Sequence, residues 1–255
     1  MRDARAPAPP DPPVATLVVA GAPHGRLAPR VAAALGELPQ WFVPSTGGFA
    51  LRDAGLAAEA RGALLQQAAL ALRTRGLIPG WRDEHCALLD AHGQELARFE
   101  RGAFRTLGLQ NRAVHVNGCL PDGRLWIARR SARKASSPNK LDNMAAGAIA
   151  AGETPGECAV RELWEEAGVP ADLAVLTRFT GTRLRSERAL PHGFHDEIIL
   201  CADLELPADF VPDCQDGEVA GFMCLDREAI AGALADGEFS VEASLVVRDW
   251  LGRSA

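Results

Sequence analysis

The stretch 147–169, GAIAAGETPGECAVRELWEEAGV, constrains the fold of this chain more than any other. Thr154 is a preferred N-cap residue, Pro155 would take the first helical position, and Glu157 stands three residues after the cap. This is the pattern of a capping box with a proline at the first turn. Gly168 stands where helices commonly end on a left-handed residue. The sequence therefore predicts a helix that begins at about Pro155 and ends just before Gly168.

Three glutamates would share one face of this helix, because Glu162, Glu165 and Glu166 follow the spacing i, i+3, i+4. Like charges at this spacing repel one another by roughly 0.2–0.5 kcal/mol per pair on an exposed helix. A divalent cation would relieve the repulsion, and carboxylate oxygens suit Mg²⁺, Mn²⁺ or Ca²⁺. The alternative is a solvated acidic helix. We expect the opposite face to pack on a sheet through its apolar residues: Ala159, Val160, Leu163, Trp164 and Ala167.

The spacing continues beyond the helix. Gly147 is followed after five residues by Glu153, and after seven more by the run Arg161–Val169, RELWEEAGV. With an aliphatic residue at each aliphatic position, this resembles the complete Nudix box. The resemblance extends from about Val114 to the C-terminus. It implies a Nudix hydrolase of the α/β class, with a mixed sheet in an α/β/α sandwich.

The resemblance also implies a chemistry, which is attack of water on a phosphoanhydride with Mg²⁺ or Mn²⁺ as cofactor. The three helix glutamates and the carbonyl of Gly147 would hold the metal. Arg161 would orient a glutamate by a salt bridge, with Glu153 as the first candidate partner. The general base stays open between a box glutamate, with Glu166 the first choice, and two residues on later segments, Glu218 as the second choice and Glu197.

Other polar residues could contact the substrate. His195 and Glu197 begin a predicted strand, 194–204, and are further candidates, although a lone histidine on a strand is more often structural. Basic residues before the box could neutralise a diphosphate, arginine by paired hydrogen bonds and lysine as a point charge. Their alternative role is a solubilising loop. These basic residues are Arg129, Arg130, Arg133, Lys134 and Lys140.

The flanks of the box resemble one branch of the Nudix hydrolases, through HVNG at 115–118, LDN at 141–143 and DGEVAGF at 216–222. Its members carry an N-terminal domain of unassigned role, and some fungal relatives are fused to thiamine pyrophosphokinase. The resemblance implies an organic diphosphate substrate, with thiamine diphosphate or its oxidised analogues, cleaved to the monophosphate, as the favoured case. The alternatives are a hydrolase of nucleoside-diphosphate-linked metabolites and a non-catalytic binding protein on a Nudix scaffold.

The residues before the box predict a separate domain, because they have helical and strand patterns of their own. We expect a disordered lead over 1–13, a small α/β domain over 14–110 and the Nudix domain over 111–255. Trp81 and Arg82 are candidates to stack on or grip part of the substrate. Their alternative roles are a half-buried anchor and a surface ion pair.

Composition limits the partners. A net charge of −6 disfavours nucleic acid and anionic membranes, and no apolar run approaches the ~20 residues that span a bilayer. Six cysteines without a CxxC pair, behind an N-terminus with no apolar leader segment, favour reduced thiols in the cytoplasm. The expected partner is a small-molecule diphosphate, and a homodimer is left open.

Overall fold

The computed structural model describes residues 15–253, so the predicted lead over 1–13 lies outside the described residues. The chain divides into two compact units. The first extends to Asn111 and includes Ala150–Gly152 and Glu187–Glu197, and the second holds Arg112–Ile149, Glu153–Ser186 and the residues from Ile198 onward. All six cysteines are free thiols. Within residues 15–253, every helix is too short or too polar to span a bilayer.

The first unit contains a four-stranded sheet in the order β2-β1-β4-β3. Its strands are β1 (Ala15–Val19), β2 (Ala22–Leu27), β3 (Phe42–Ser45) and β4 (Gly48–Leu51). β1 pairs parallel with β4, and the β1–β2 and β3–β4 pairs are antiparallel. The sequence of residues 14–20 is compatible with a strand or with the start of a helix. Every second residue of β1 is buried, which explains why they form a strand.

Three helices and a hairpin complete the first unit: α1 (Pro29–Gly36), α2 (Ala58–Thr74), β5 (His85–Leu89), β6 (Glu95–Glu100) and α3 (Arg101–Leu107). Apolar spacing predicts helices over 28–38 and 56–75, and both form with shorter ends. Helix α3, which no pattern predicts, ends at the left-handed residue Gly108, with φ 61°. Alternation predicts a hairpin of 81–88 with 93–99; its start is wrong, because β5 begins at His85 and not at Trp81.

A buried carboxylate holds the loop before β5 out of the sheet. Glu100 is fully buried and accepts hydrogen bonds from the backbone N–H groups of Arg82 (2.9 Å), Asp83 (3.1 Å) and Gly102 (2.8 Å). Asp83 has a left-handed φ of 58°, and its carboxylate accepts from the indole N–H of Trp81 at 2.6 Å. The loop is therefore fixed by side-chain bonds, and Trp81 is half-buried while Arg82 is exposed.

The second unit is built on a seven-stranded sheet in the order β11-β12-β7-β8-β13, with β10 paired to β7 and β9 to β8. The strands are β7 (Asn111–Cys119), β8 (Leu125–Arg130), β9 (Leu141–Asp142), β10 (Ala145–Ala148), β11 (Arg178–Leu190), β12 (Gly193–Glu205) and β13 (Val219–Leu225). The helices are α4 (Pro155–Ala167), α5 (Ala171–Ala174), α6 (Arg227–Ala235) and α7 (Val241–Gly252).

Helices cover both faces of this sheet. Along β8, Trp126 packs with the cluster that contains Leu163 of α4, whereas Leu125 and Ile127 pack with Ile230 of α6 and the residues of α7. Neighbouring residues of a strand point to opposite faces, so α4 lies on one face and α6 with α7 on the other. The predicted α/β/α sandwich with a mixed sheet is confirmed.

Two predictions from the residues after the box are wrong. The apolar pattern of residues 173–180 predicts a strand, but the chain forms the short helix α5 before β11 begins at Arg178. The polar residues 183–191 predict a loop, but they continue β11 to Leu190. Its polar side chains alternate with less exposed ones such as Leu184 and Ser186, which is compatible with an edge strand.

Replacing Glu100 with alanine should destabilise the first unit, because three backbone donors would lose their charged acceptor. Hydrogen bonds to charged groups contribute about 1.5–3 kcal/mol each, and we expect a loss of about 2–3 kcal/mol, since water can reach part of the loop. Urea unfolding, with hydrogen exchange at residues 82, 83 and 102, measures it. The matched control is Glu95→Ala, which removes an exposed pair with Arg98; equal losses in the two variants would contradict this account.

Candidate active site

Helix α4 forms as its sequence predicts, from Pro155 to Ala167. The hydroxyl of Thr154 accepts from the N–H of Glu157 at 3.2 Å, and the Glu157 carboxylate accepts from the N–H of Thr154 at 2.8 Å. Gly168 closes the helix with φ 64°. These local bonds fix where the helix begins and ends, and therefore which way each glutamate points.

Two of the three glutamates lie on the packed side of α4. Glu162 and Glu166 are 8% and 5% exposed, whereas the side chain of Glu165 is 42% exposed. The expectation that the apolar residues lie on the opposite face is wrong: at about 100° per residue, Glu166 lies beside the buried Ala159. Trp164, expected to pack on the sheet, is 52% exposed, because it lies about 100° beyond Leu163. Burial of two carboxylates excludes the solvated acidic helix.

Strand β10 lies against the carboxylates of Glu162 and Glu166. Its Gly147 pairs with Val114 of β7, and a Cβ at position 147 would overlap the Glu162 carboxylate. One residue earlier, the N–H of Ala146 donates to Oε2 of Glu166 at 2.9 Å. Only glycine lets the Glu162 carboxylate approach the strand backbone this closely.

Arg161 ties three carboxylates together. Its Nε and Nη2 bind the two oxygens of Glu153 at 2.8 and 3.0 Å, which is the predicted salt bridge. Its Nη1 lies 2.5 Å from Glu162 and 3.2 Å from Glu165. The hydrogen bonds to Glu153, followed by the charge of Glu162, raise the pKa of Arg161 against the opposing effect of burial. The guanidinium therefore stays charged and holds the cluster in one arrangement.

A lysine joins the buried end of the cluster to Glu218. Nζ of Lys134 lies 3.4 Å from Oε1 of Glu166 and also forms an ion pair with Glu218. The pKa of Glu166 is raised to about 8. Burial is the largest cause, Lys134 acts in the opposite direction, and the charge of Glu162 contributes to the rise. A second positive charge near Glu166 would favour its ionised form.

The five basic residues before the box have different positions. Lys134 contacts the cluster as described. Arg130 pairs with Asp142 at 2.6 Å and donates to the Ser136 carbonyl. Arg129 and Lys140 donate to backbone carbonyls, those of Asn139 (2.9 Å) and Gly237 (2.7 Å). Arg133 has an exposed side chain.

The remaining predicted site residues belong to the first unit. Trp81 and Arg82 lie on the loop that Glu100 holds. His195 and Glu197 are buried, with His195 Nε2 3.7 Å from Glu197 Oε1.

A polar chain beside β10 was not predicted. His115 Nδ1 lies 2.8 Å from Asn143 Oδ1, the Asn143 amide donates to Asn117 at 2.7 Å, and the Asn117 amide donates to Asp203 at 2.9 Å. Asn143 stands two residues before β10, so this chain fixes the approach to the strand that carries Gly147. The runs HVNG and LDN were the available signal, because three of the four residues come from them.

Comparison with known proteins matches the chain to two families. The NUDIX domain family matches residues 109–244, and a domain of unknown function, DUF4743, matches residues 11–111.

Two relatives from Arabidopsis thaliana are named Nudix hydrolases. Nudix hydrolase 24, chloroplastic, is 36% identical over 189 residues, which are 71% of this chain and 51% of that protein. Nudix hydrolase 20, chloroplastic, is 33% identical over 198 residues, which are 71% of this chain and 50% of that protein. The chain thus spans about half the length of these relatives.

Among solved structures, DR0079 from Deinococcus radiodurans has a TM-score of 0.50 and 26% identity, over 65% of this chain and 98% of that chain. The NUDIX match covers more than half of the sequence, and the box it contains forms a capped helix whose Glu162 carboxylate packs against Gly147. The chain belongs to the Nudix family of hydrolases, which act on phosphorus-containing anhydrides, and carries a DUF4743 domain before its Nudix domain.

Proposed function

We propose that this chain is a metal-dependent pyrophosphohydrolase of an organic diphosphate. The observation that carries the proposal is the concentration of carboxylates around α4. Five carboxylates, those of Glu153, Glu162, Glu165, Glu166 and Glu218, are linked to one another through Arg161 and Lys134. Buried charge is costly unless it is paired or bound to metal.

The residues present fit a hard divalent cation. Mg²⁺ and Mn²⁺ prefer carboxylate and carbonyl oxygens, and the site offers Glu162, Glu165, Glu166 and the carbonyl of Gly147. When bound, the metal would polarise a phosphoryl oxygen and lower the pKa of its water. The intact set of glutamates favours an enzyme over a non-catalytic scaffold.

The protein's own groups divide the remaining work. Arg161 orients Glu153, Glu162 and Glu165. Glu166 is the first candidate to accept the proton of the attacking water, since Ala146 N–H and Lys134 fix its oxygens. Glu218, joined to Glu166 through Lys134, is the second candidate.

Among the basic residues, Arg133 is the one we assign to a substrate phosphate, together with Lys134. Arg133 is exposed on the loop beside Lys134, and a guanidinium can bind phosphate with two hydrogen bonds. Arg130 is committed to Asp142, and Arg129 and Lys140 to backbone carbonyls, so we expect smaller effects from these three.

Thiamine diphosphate, or an oxidised analogue, is our proposed substrate. Its support is the resemblance of HVNG, LDN and DGEVAGF to the branch with thiamine pyrophosphokinase fusions. The cytoplasmic location and the homodimer stay predictions; the two plant relatives carry the word chloroplastic in their names.

Replacing Glu165 or Glu166 with glutamine should lower hydrolysis by roughly 10²–10⁴-fold, the range for loss of a general base. Phosphate release with Mg²⁺ measures turnover, and circular dichroism checks the fold. Glu205→Gln is the control, because its side chain is 84% exposed at the end of β12. Unchanged turnover in both box variants would remove the assignment of this site.

Replacing Gly147 with alanine should weaken Mn²⁺ binding by about 10–100-fold, the size of effect found for residues that orient metal ligands. The new Cβ would overlap the Glu162 carboxylate and force it aside. Titration calorimetry with Mn²⁺ tests this on the full chain. Gly221→Ala is the matched strand control, because its Cβ would meet open space; equal affinity in the two variants would show that Glu162 is not a ligand.

A substrate panel separates the two classes of diphosphate. With Mg²⁺ present, we expect the largest kcat/KM for thiamine, oxythiamine or oxothiamine diphosphate, and smaller values for ADP-ribose and dinucleotides. The monophosphate products are quantified by chromatography for every substrate, with inorganic phosphate as the second product of the thiamine compounds alone. Preference for ADP-ribose would overturn the thiamine proposal while leaving the hydrolase assignment intact.

A further inference from the structure

A cleft of about 450 Å³ opens beside the first turn of α4. Its lining comes from that turn and from the strands β11 and β12: Pro155, Gly156, Phe179, Gly181, Thr182, Arg183, Leu200 and Cys201. Its volume lies in the range of about 300–1,000 Å³ that is typical of small-molecule sites. None of the carboxylates assigned to the metal is among the lining residues.

The cleft lies on the other flank of α4 from the glutamates. The buried line of the helix runs through Ala159 and Leu163. At about 100° per residue, Gly156 lies about 60° to one side of Ala159, and Glu162 lies about 60° to the other side. The cleft is therefore distinct from the metal site.

The backbone around the cleft leaves space for a ligand at two glycines. Cβ atoms built at Gly156 or Gly181 would meet no atom within 4 Å, so both glycines border open space. Gly181 interrupts β11 with φ +81°, and the next N–H, that of Thr182, donates to the hydroxyl of Thr180 at 3.2 Å. A glycine inside a strand commonly marks a bulge or a close approach by a ligand.

The lining combines apolar surface with positive charge. Phe179 is 41% exposed, which leaves its ring open to a planar partner. Arg183 is exposed and has no ion pair among residues 15–253. The N-terminus of α4 adds the positive end of a helix dipole. These features complement a molecule with a flat apolar body and one negative group.

We propose that this cleft is a second binding site, which takes a small planar organic anion. The ring packs against Phe179 and Leu200, and the anionic group pairs with Arg183 near the first turn of α4. The site is independent of the hydrolytic chemistry.

Two dyes test the proposal on the full chain. 8-Anilinonaphthalene-1-sulfonate is a planar anion whose fluorescence rises in apolar sites, and N-phenyl-1-naphthylamine is the same molecule without the sulfonate. Gly156→Leu, which fills the cleft from a helical position, should raise the Kd of both dyes at least about tenfold, as loss of ~1.4 kcal/mol would. Arg183→Gln should raise the Kd of the sulfonate about tenfold, the effect of one lost charged hydrogen bond, and leave the neutral dye unchanged.

The matched control is Arg178→Gln, on the same strand with a side chain 81% exposed and outside the cleft lining. It should leave both affinities at the wild-type value. Wild-type affinities in Gly156→Leu would show that the dyes bind elsewhere and overturn the site. Equal losses for the two dyes in Arg183→Gln would overturn the assignment of an anionic ligand.

Discussion

Close packing of the Glu162 carboxylate against the backbone of Gly147 is the constraint on which the rest of the site depends. It requires a glycine on β10, a helix with a fixed beginning, and a β10 register that places Ala146 under Glu166. The capping box fixes the beginning of the helix, and the pairing of β10 with β7 sets the register of β10. Because these supports lie in regular structure, the carboxylates are oriented before any cation binds.

The helix could be predicted to the residue because its signals are local. Its capping residues act on neighbouring backbone groups, so its ends can be predicted without any distant contact. These residues are Thr154, Pro155, Glu157 and Gly168. The burial of the glutamates could not be predicted in the same way. It depends on which flank faces β10. Ala159, Leu163 and Ala167 are buried as periodicity predicts, but periodicity alone places the glutamates on the opposite face and Trp164 on the packed one.

The distinction between local and distant contacts also explains the errors in the predicted fold. The sequence of β11 predicts a polar loop because an edge strand needs few apolar residues, and its inward positions include Thr182 and Ser186. The loop before β5 has the pattern of a strand because Trp81 fits the alternation, whereas Glu100, about twenty residues later, determines its path. In both cases a contact distant in sequence overrides a local pattern.

The basic residues before the box contact the acidic helix less than their number suggests. Five basic residues precede the box, but Arg130 neutralises Asp142 and only Lys134 reaches the glutamates. Like charges therefore stand close together in a site where two carboxylates, those of Glu162 and Glu166, are buried. A ligand that binds the folded state alone stabilises it, so a divalent cation would both complete the chemistry and offset the repulsion within α4. The concentration of carboxylates that brings like charges together in α4 is thus the property that would favour a divalent cation at this site.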